Sequence, residues 1–346
     1  MYLFIFFILC ILSIVSRKTP SKHGLRILAI VFIIIVGFRG DDVDNDYIMY
    51  YYSIVFPLKS GIAEISYKWI AEFFYNFFGS TILVFLFYAI LGVGLKVYCI
   101  KKYTTYFWLS FLIYFATFFI LQEMNAMRAG VACGFMLLSV QYWAERKYKM
   151  TLFLLAVATF FHYSFIVLIP LSLVIKNTSK GLIYYVVLIP LAYLVYYQVD
   201  LSQIVTFFTF SYAQDKFKAY SDEANMTNVF STVFIVKILL VIFLYIYRKK
   251  LQNVYPYFYL FLKLYCIGIF VVIALAKFPA ASMRFLDLFI VAEIFLVPLI
   301  YFLFPPKLKW IPLFLIFLFS YFYFYLYVDL AKYIRDYYLI FYPKWI

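Results

Sequence analysis

Arg39 is followed closely by Asp41, Asp42, Asp44 and Asp46, and then by an aromatic run from Tyr47 to Tyr52. Two more arginines each head an apolar stretch, Arg128 after the polar turn EMNAM and Arg284 after KFPAASM. His162 interrupts a further apolar stretch, between Phe161 and Tyr163. A guanidinium keeps its charge and grips phosphate through paired hydrogen bonds, so arginines gathered on one membrane face suit a pyrophosphate. An imidazole between apolar half-helices needs a partner and can donate or shuttle a proton. The acidic run suits a hard cation, although it lacks the glycine and terminal glutamate of an EF-hand loop. Each feature also has a plainer reading: span-end anchors at lipid headgroups, a satisfied core histidine and a solvated acidic loop. No GxGxxG, GKS/GKT, HExxH or CxxC motif occurs, and Cys10, Cys99, Cys133 and Cys266 lie in apolar runs where packing explains them. No cofactor and no metal is expected.

The elements that must position these residues follow from composition. The 346 residues are 67% hydrophobic and 13% charged, against about 45–50% and about 25% in soluble domains. Apolar runs recur along the whole length, separated by short polar knots, and each is long enough to cross about 30 Å of hydrocarbon as a helix. None alternates polar and apolar residues as a membrane strand would. The expected fold is an all-α polytopic membrane bundle, residues 1–346 forming a single transmembrane domain with about 10–12 crossings. The first run, 1–16, has no basic n-region and no small-residue cleavage site, and reads as a retained span.

The formal charge of +14 sits mostly in alternate loops, which points to membrane orientation and not to nucleic acid. Keeping the basic clusters in the cytoplasm requires residues 150–175 to form two short helices meeting at His162. It also predicts a large external loop at 39–80, with an interfacial helix at Ile65–Phe78, and a second external loop at 199–228. Arg39, Asp46, Tyr47, Arg128, His162 and Arg284 then share one membrane face. Among charges within spans, Lys96 should reach the cytoplasmic surface, while Lys237 and Lys263 should face the interior and pair with Asp287 or Glu293. Such charges suit a transporter equally well.

Several blocks resemble the EpsG/Wzy family of bacterial polysaccharide polymerases. GFRGDDVDNDYIMYYYSIVF at 37–56 is similar to the family's arginine, Asp-Tyr and aromatic stretch. EMNAMRAGVACGFMLLSVQYWAERKYK at 123–149 resembles its arginine-headed helix with a basic end. ATFFHYSFIVLIPL at 158–171 is similar to its Ala-x-x-Phe-His block, and MRFLDLFIVAEIFLVPLI at 283–300 and RDYYLIFYPKW at 335–345 also fit. The chain departs from the pattern at Asp44-Asn45-Asp46-Tyr47, where Gly-Thr-Asp often precedes the tyrosine, and at Ala129, where many members carry glutamine.

The resemblance implies a membrane-embedded glycosyltransferase of the GT-C-like class at the outer face of the bacterial inner membrane. It would join oligosaccharide repeat units carried on undecaprenyl pyrophosphate, amid membrane lipid, alongside a chain-length regulator and a flippase. A sugar hydroxyl would attack an anomeric carbon and lipid pyrophosphate would leave. Asp46 and His162 are then the catalytic candidates on the acceptor side, and Arg39, Tyr47, Arg128 and Arg284 the substrate contacts. The alternatives are a lipid-linked-glycan ligase or other membrane glycosyltransferase, or a flippase or transporter. A flippase should carry charges along a path through both leaflets, whereas here the distinctive ones gather on one face.

Overall fold

The computed structural model describes residues 1–16, 18–56, 64–104, 106–198 and 228–341, and the loop expected at 199–228 lies outside them except for Asn228. Among the described residues there is no strand beyond two isolated antiparallel bridges, Arg39 with Leu339 and Asp44 with Ile334. Four helical segments among the described residues, Ile82–Tyr103, Phe107–Asn125, Ala281–Leu303 and Pro306–Leu330, are long and apolar enough to cross a membrane, and shorter apolar helices accompany them. The chain is thus a polytopic helical membrane protein. Its outer faces agree: Phe4 is 70% exposed and Val15 and Phe77 are each 76% exposed, a surface suited to hydrocarbon and not to water.

Two compact units make up the chain, Met1–Val174 with Val297–Ile346, and Ile175–Leu296. In the first, α1 (Tyr2–Val15) is followed by α2 (Lys22–Gly37), whose first turn is closed by Ser21 accepting from Gly24 N at 3.1 Å. Next come α3 (Tyr47–Val55) and α4 (Ile65–Phe78), the second occupying the residues read as an interfacial helix. Gly79, at φ 62°, ends α4 in the left-handed conformation that glycine adopts at little cost. Helix α5 (Ile82–Tyr103) packs against α2 and α7 (Met127–Ala144). A Cβ on Gly134 would lie 2.8 Å from Leu95, so this glycine lets α5 and α7 approach closely.

Between them, α6 (Phe107–Ile113) runs directly into a π-helix, Tyr114–Asn125. Glu123, which the sequence placed in an outer polar turn, is buried in this π-helix and pairs with Lys96, which also donates to Gly130 O at 2.9 Å. Lys96 therefore does not reach the surface as expected. Side chains added at Gly92 or Gly130 would intrude on the Glu123 carboxylate. Those two hydrogens in place of methyl groups are what leave room for an ion pair inside the bundle.

Helix α8 (Tyr148–Phe161) ends at His162, where the backbone is extended at φ −152° and ψ 114°. A 3-10 turn, Tyr163–Val167, and α9 (Leu168–Val174) follow, giving the two short helices meeting at His162 that the basic loops required.

In the second unit, α10 (Leu182–Gln198) packs on α13 (Phe258–Ala274), with α11 (Thr232–Ile246), α12 (Arg248–Val254), α14 (Pro279–Ile290) and α15 (Glu293–Leu296) around them. Lys237 pairs with Glu293 at 2.5 Å, as one of the two expected acids, and Tyr265 donates to the same oxygen at 2.6 Å. Lys263 instead donates to the carbonyls of Lys176 at 2.8 Å and Lys180 at 3.2 Å. Helix α16 (Trp310–Tyr325), back in the first unit, continues as a short π-helix, Leu326–Leu330, before the terminal segment.

Candidate active site

The acidic loop is organised by Arg39. This side chain is enclosed, at 1% exposure, and pairs with Asp44 while its Nη1 donates to Val36 O at 2.6 Å. Its guanidinium lies 5.0 Å from the Phe85 ring centre and 5.6 Å from that of Tyr47. Tyr47 stacks on Phe85 with ring centres 4.4 Å apart. Arg39, expected at the substrate, is thus spent in this conformation on shaping the loop that carries Asp46 and Tyr47. The second carboxylate oxygen of Asp44 accepts from Asp46 N at 3.0 Å, and Asn45 N donates to Asn125 Oδ1 at 3.3 Å. The terminal segment lies alongside: Gly40 N donates to Tyr338 O at 2.9 Å, Ile340 N to Phe38 O at 3.0 Å and Arg335 N to Val43 O at 2.8 Å. Tyr338 donates its hydroxyl to Asp41. Among the described residues no group of three or more His, Cys, Asp or Glu side chains is arranged to hold a metal ion.

The second focus is Glu64, the residue before α4. One carboxylate oxygen meets Arg128 Nη1, and the other lies 2.9 Å from His162 Nδ1. Arg128 is the second residue of α7, at the positive end of that helix, an unfavourable place for a cation that Glu64 offsets. Its Nε donates to Tyr50 OH at 3.4 Å, and its guanidinium lies 5.6 and 5.9 Å from the ring centres of Tyr50 and Tyr67. Ser53 Oγ bridges the same tyrosines, donating to Tyr50 O and lying 2.7 Å from Tyr67 OH. Helix α4 is fastened at the His162 break by Ser66, which donates to Phe160 O, and by Ile65 N, which donates to Tyr163 OH at 3.3 Å.

The two foci are electrostatically joined. Burial pushes the Asp46 carboxyl upward and neighbouring Asp44 adds to this, with Arg128 and Arg39 opposing incompletely. Burial would also raise Glu64, but the His162 hydrogen bond and the Arg128 charge outweigh it and hold that carboxyl down to about 2. Burial lifts the Tyr47 phenol to about 12. The site therefore combines an upward-shifted carboxylate, an imidazole and a guanidinium, so a proton acceptor stands next to a fixed cation.

Arg39, Asp46, Tyr47, Arg128 and His162 all belong to this cluster in the first unit. Arg284 belongs to the second unit, exposed on α14. Glu64 and Tyr67 were not singled out from the sequence, and Tyr50 stood out only within the Tyr47–Tyr52 run. Glu64 stands 64 positions from Arg128 and 98 from His162, and a lone loop glutamate carries no local signal of such partners. No characterised protein and no solved structure matches the chain. The family model described as EpsG family matches residues 24–342. That match covers the acidic loop, the Arg128 helix, the His162 break and most of the terminal segment, and with these helices it supports a multi-pass membrane protein of polysaccharide-polymerase-like, glycosyltransferase-like activity: the chain belongs to the EpsG family.

Proposed function

We propose that the chain joins oligosaccharide repeat units carried on undecaprenyl pyrophosphate, at the outer face of the bacterial inner membrane. The observation that carries this reading is the meeting of Arg128 and His162 on one carboxylate, with Asp46 within the field of the same arginine. Arg128 lies at the amino end of α7, so guanidinium and unpaired backbone N–H groups together favour an anion there. That is where negative charge develops as the pyrophosphate leaves, and a fixed cation stabilises the transition state without a metal. The acceptor hydroxyl gives its proton to His162 or Asp46. Tyr47, stacked on Phe85, holds the loop that carries Asp46. Membrane lipid, a chain-length regulator and a flippase are the implied partners.

The test uses purified protein and lipid-linked repeat units. Wild-type protein should lengthen the glycan, whereas Asp46→Asn or His162→Gln should lose about 100-fold or more in rate if that residue is the base. Wild-type turnover in either variant removes that residue from the mechanism, and absence of any chain growth by the wild type refutes the reading.

The ion pairs buried within helices, Lys96 with Glu123 and Lys237 with Glu293, favour a second reading as a flippase. The glycan of a deletion strain separates the two. Single units at the surface indicate a polymerase, and loss of all surface glycan indicates a flippase.

A further inference from the structure

A carboxylate oxygen 2.9 Å from an imidazole nitrogen is at hydrogen-bond distance only if that nitrogen carries a hydrogen, because two lone pairs at that separation repel. Glu64 is ionised at neutral pH, since the His162 bond and the Arg128 charge overcome the effect of burial. Nδ1 of His162 is therefore the protonated nitrogen, and in a neutral ring the lone pair is left on Nε2. Nε2 has no protein hydrogen-bond partner among the described residues. A counter-ion for Arg128 alone would need no such second contact. Here the two oxygens of one carboxylate are divided between the cation and the imidazole.

The geometry points to Glu64 as a positioning residue that fixes the His162 tautomer presenting Nε2 as proton acceptor, and ties that ring to Arg128. This deepens the proposed function and rests on its assignment of His162 to the acceptor. In the transfer, the acceptor oxygen bonds to the anomeric carbon. The bond from that carbon to the donor pyrophosphate breaks, its electron pair leaving on the phosphate oxygen, and the hydroxyl proton passes to Nε2. The imidazolium so formed stays against the Glu64 carboxylate, while Arg128 stands on the leaving-group side. One carboxylate thus sets the spacing between the two halves of the reaction, as an aspartate does for the histidine of a hydrolase triad.

The chain has two histidines, so a His23→Gln background leaves one imidazole to be read by nitrogen-15 NMR after histidine labelling. At pH 8 the protein should show protonated Nδ1 and a bare Nε2. Removing Glu64 alone strands the arginine and can unfold the site, so the informative comparison is Arg128→Met against Arg128→Met with Glu64→Met. Both lack the cation, and only the second lacks the carboxylate. The first should keep the Nδ1–H tautomer and the second should lose it. A protonated Nε2 in the starting protein, or the same tautomer in both variants, overturns the inference. In the polymerisation assay Glu64→Asp should retain KM and part of kcat, Glu64→Met should lose kcat, and in a His162→Gln background Glu64→Met should add no further loss. If the tautomer depends on Glu64 but the wild type makes no polymer from lipid-linked units, the proposed function fails and the positioning role stands. If polymer forms and neither tautomer nor kcat follows Glu64, the positioning role fails alone.

Discussion

Deleting the Lys96 charge should cost far more than deleting that of Lys147, although each lysine has a glutamate partner. The Lys96 and Glu123 side chains are 0% and 1% exposed, whereas those of Lys147 and Glu145 are 62% and 38% exposed. Lys96→Met leaves the Glu123 carboxylate enclosed beside Gly92 and Gly130, and strips the Gly130 carbonyl of its 2.9 Å donor. A buried charge stranded in this way costs about 3–5 kcal/mol, against about 0–1 kcal/mol for an exposed pair. With an unfolding entropy of about 2.1 cal/mol/K per residue over 346 residues, that loss lowers the melting temperature by about 4–7 °C. Helices that persist in detergent make the unfolding entropy smaller, so this figure is a floor.

Melting followed by size-exclusion chromatography of detergent-solubilised protein would measure the effect, with Lys147→Met as the exposed control. Lys96→Met with Glu123→Leu removes both charges and should recover most of the stability. The reasoning is refuted if Lys96→Met melts within about 1 °C of the wild type, or if the double variant loses the sum of the two single losses.

Acid should weaken the fold through Glu64. Its folded value of about 2 lies below the ordinary 4.5, so its contribution is complete above about pH 4.5 and is lost as pH falls towards 2, a difference of about 3 kcal/mol. Glu64→Gln should therefore melt lower than wild type at pH 7 and converge with it in acid, and parallel melting curves would contradict the pairing. A methyl group at Gly40 would overlap the Tyr338 ring, so Gly40→Ala should dislodge the terminal segment at a cost of about 1–3 kcal/mol. Faster proteolysis of that segment would report it, and Tyr338→Ala in the same chain should relieve it. Arg128→Lys keeps the charge but loses the planar fork between Glu64 and Tyr50, and turnover should fall by about tenfold or more at unchanged protein level. Normal turnover would reduce Arg128 to an anchor.

Much of the fold was legible because lipid imposes simple rules. A span must be apolar and helical, and a basic cluster resists crossing, which was enough to require a break at His162 and a helix at Ile65–Phe78. The π-helix at Tyr114–Asn125 was not legible, since its apolar composition equally suits an α-helix. With it was lost the place of Glu123, whose partner Lys96 looked free to reach the surface. Arg128, His162, Asp46 and Tyr47 stood out by type and setting. Glu64 did not, because its significance lies in two contacts made across long stretches of chain.

The residues of the cluster share a local property that explains why it stands where it does. Asp46 precedes α3, Glu64 precedes α4, Arg128 opens α7 after the π-helix ends, and His162 separates α8 from its 3-10 turn. Each of these four ionisable groups is at a helix end. Within a span, backbone N–H and C=O groups are satisfied and a charged side chain is costly; at a helix end unpaired backbone groups already need polar surroundings. Polar chemistry is cheapest to place there, and amino-terminal ends add positive potential for an anion. The proposed lipid-linked sugar would present the matching demand, with an apolar tail in hydrocarbon and a pyrophosphate and sugar just beyond it. On the proposed function, broken helices would therefore put these polar groups at the depth where such a substrate changes from apolar to charged.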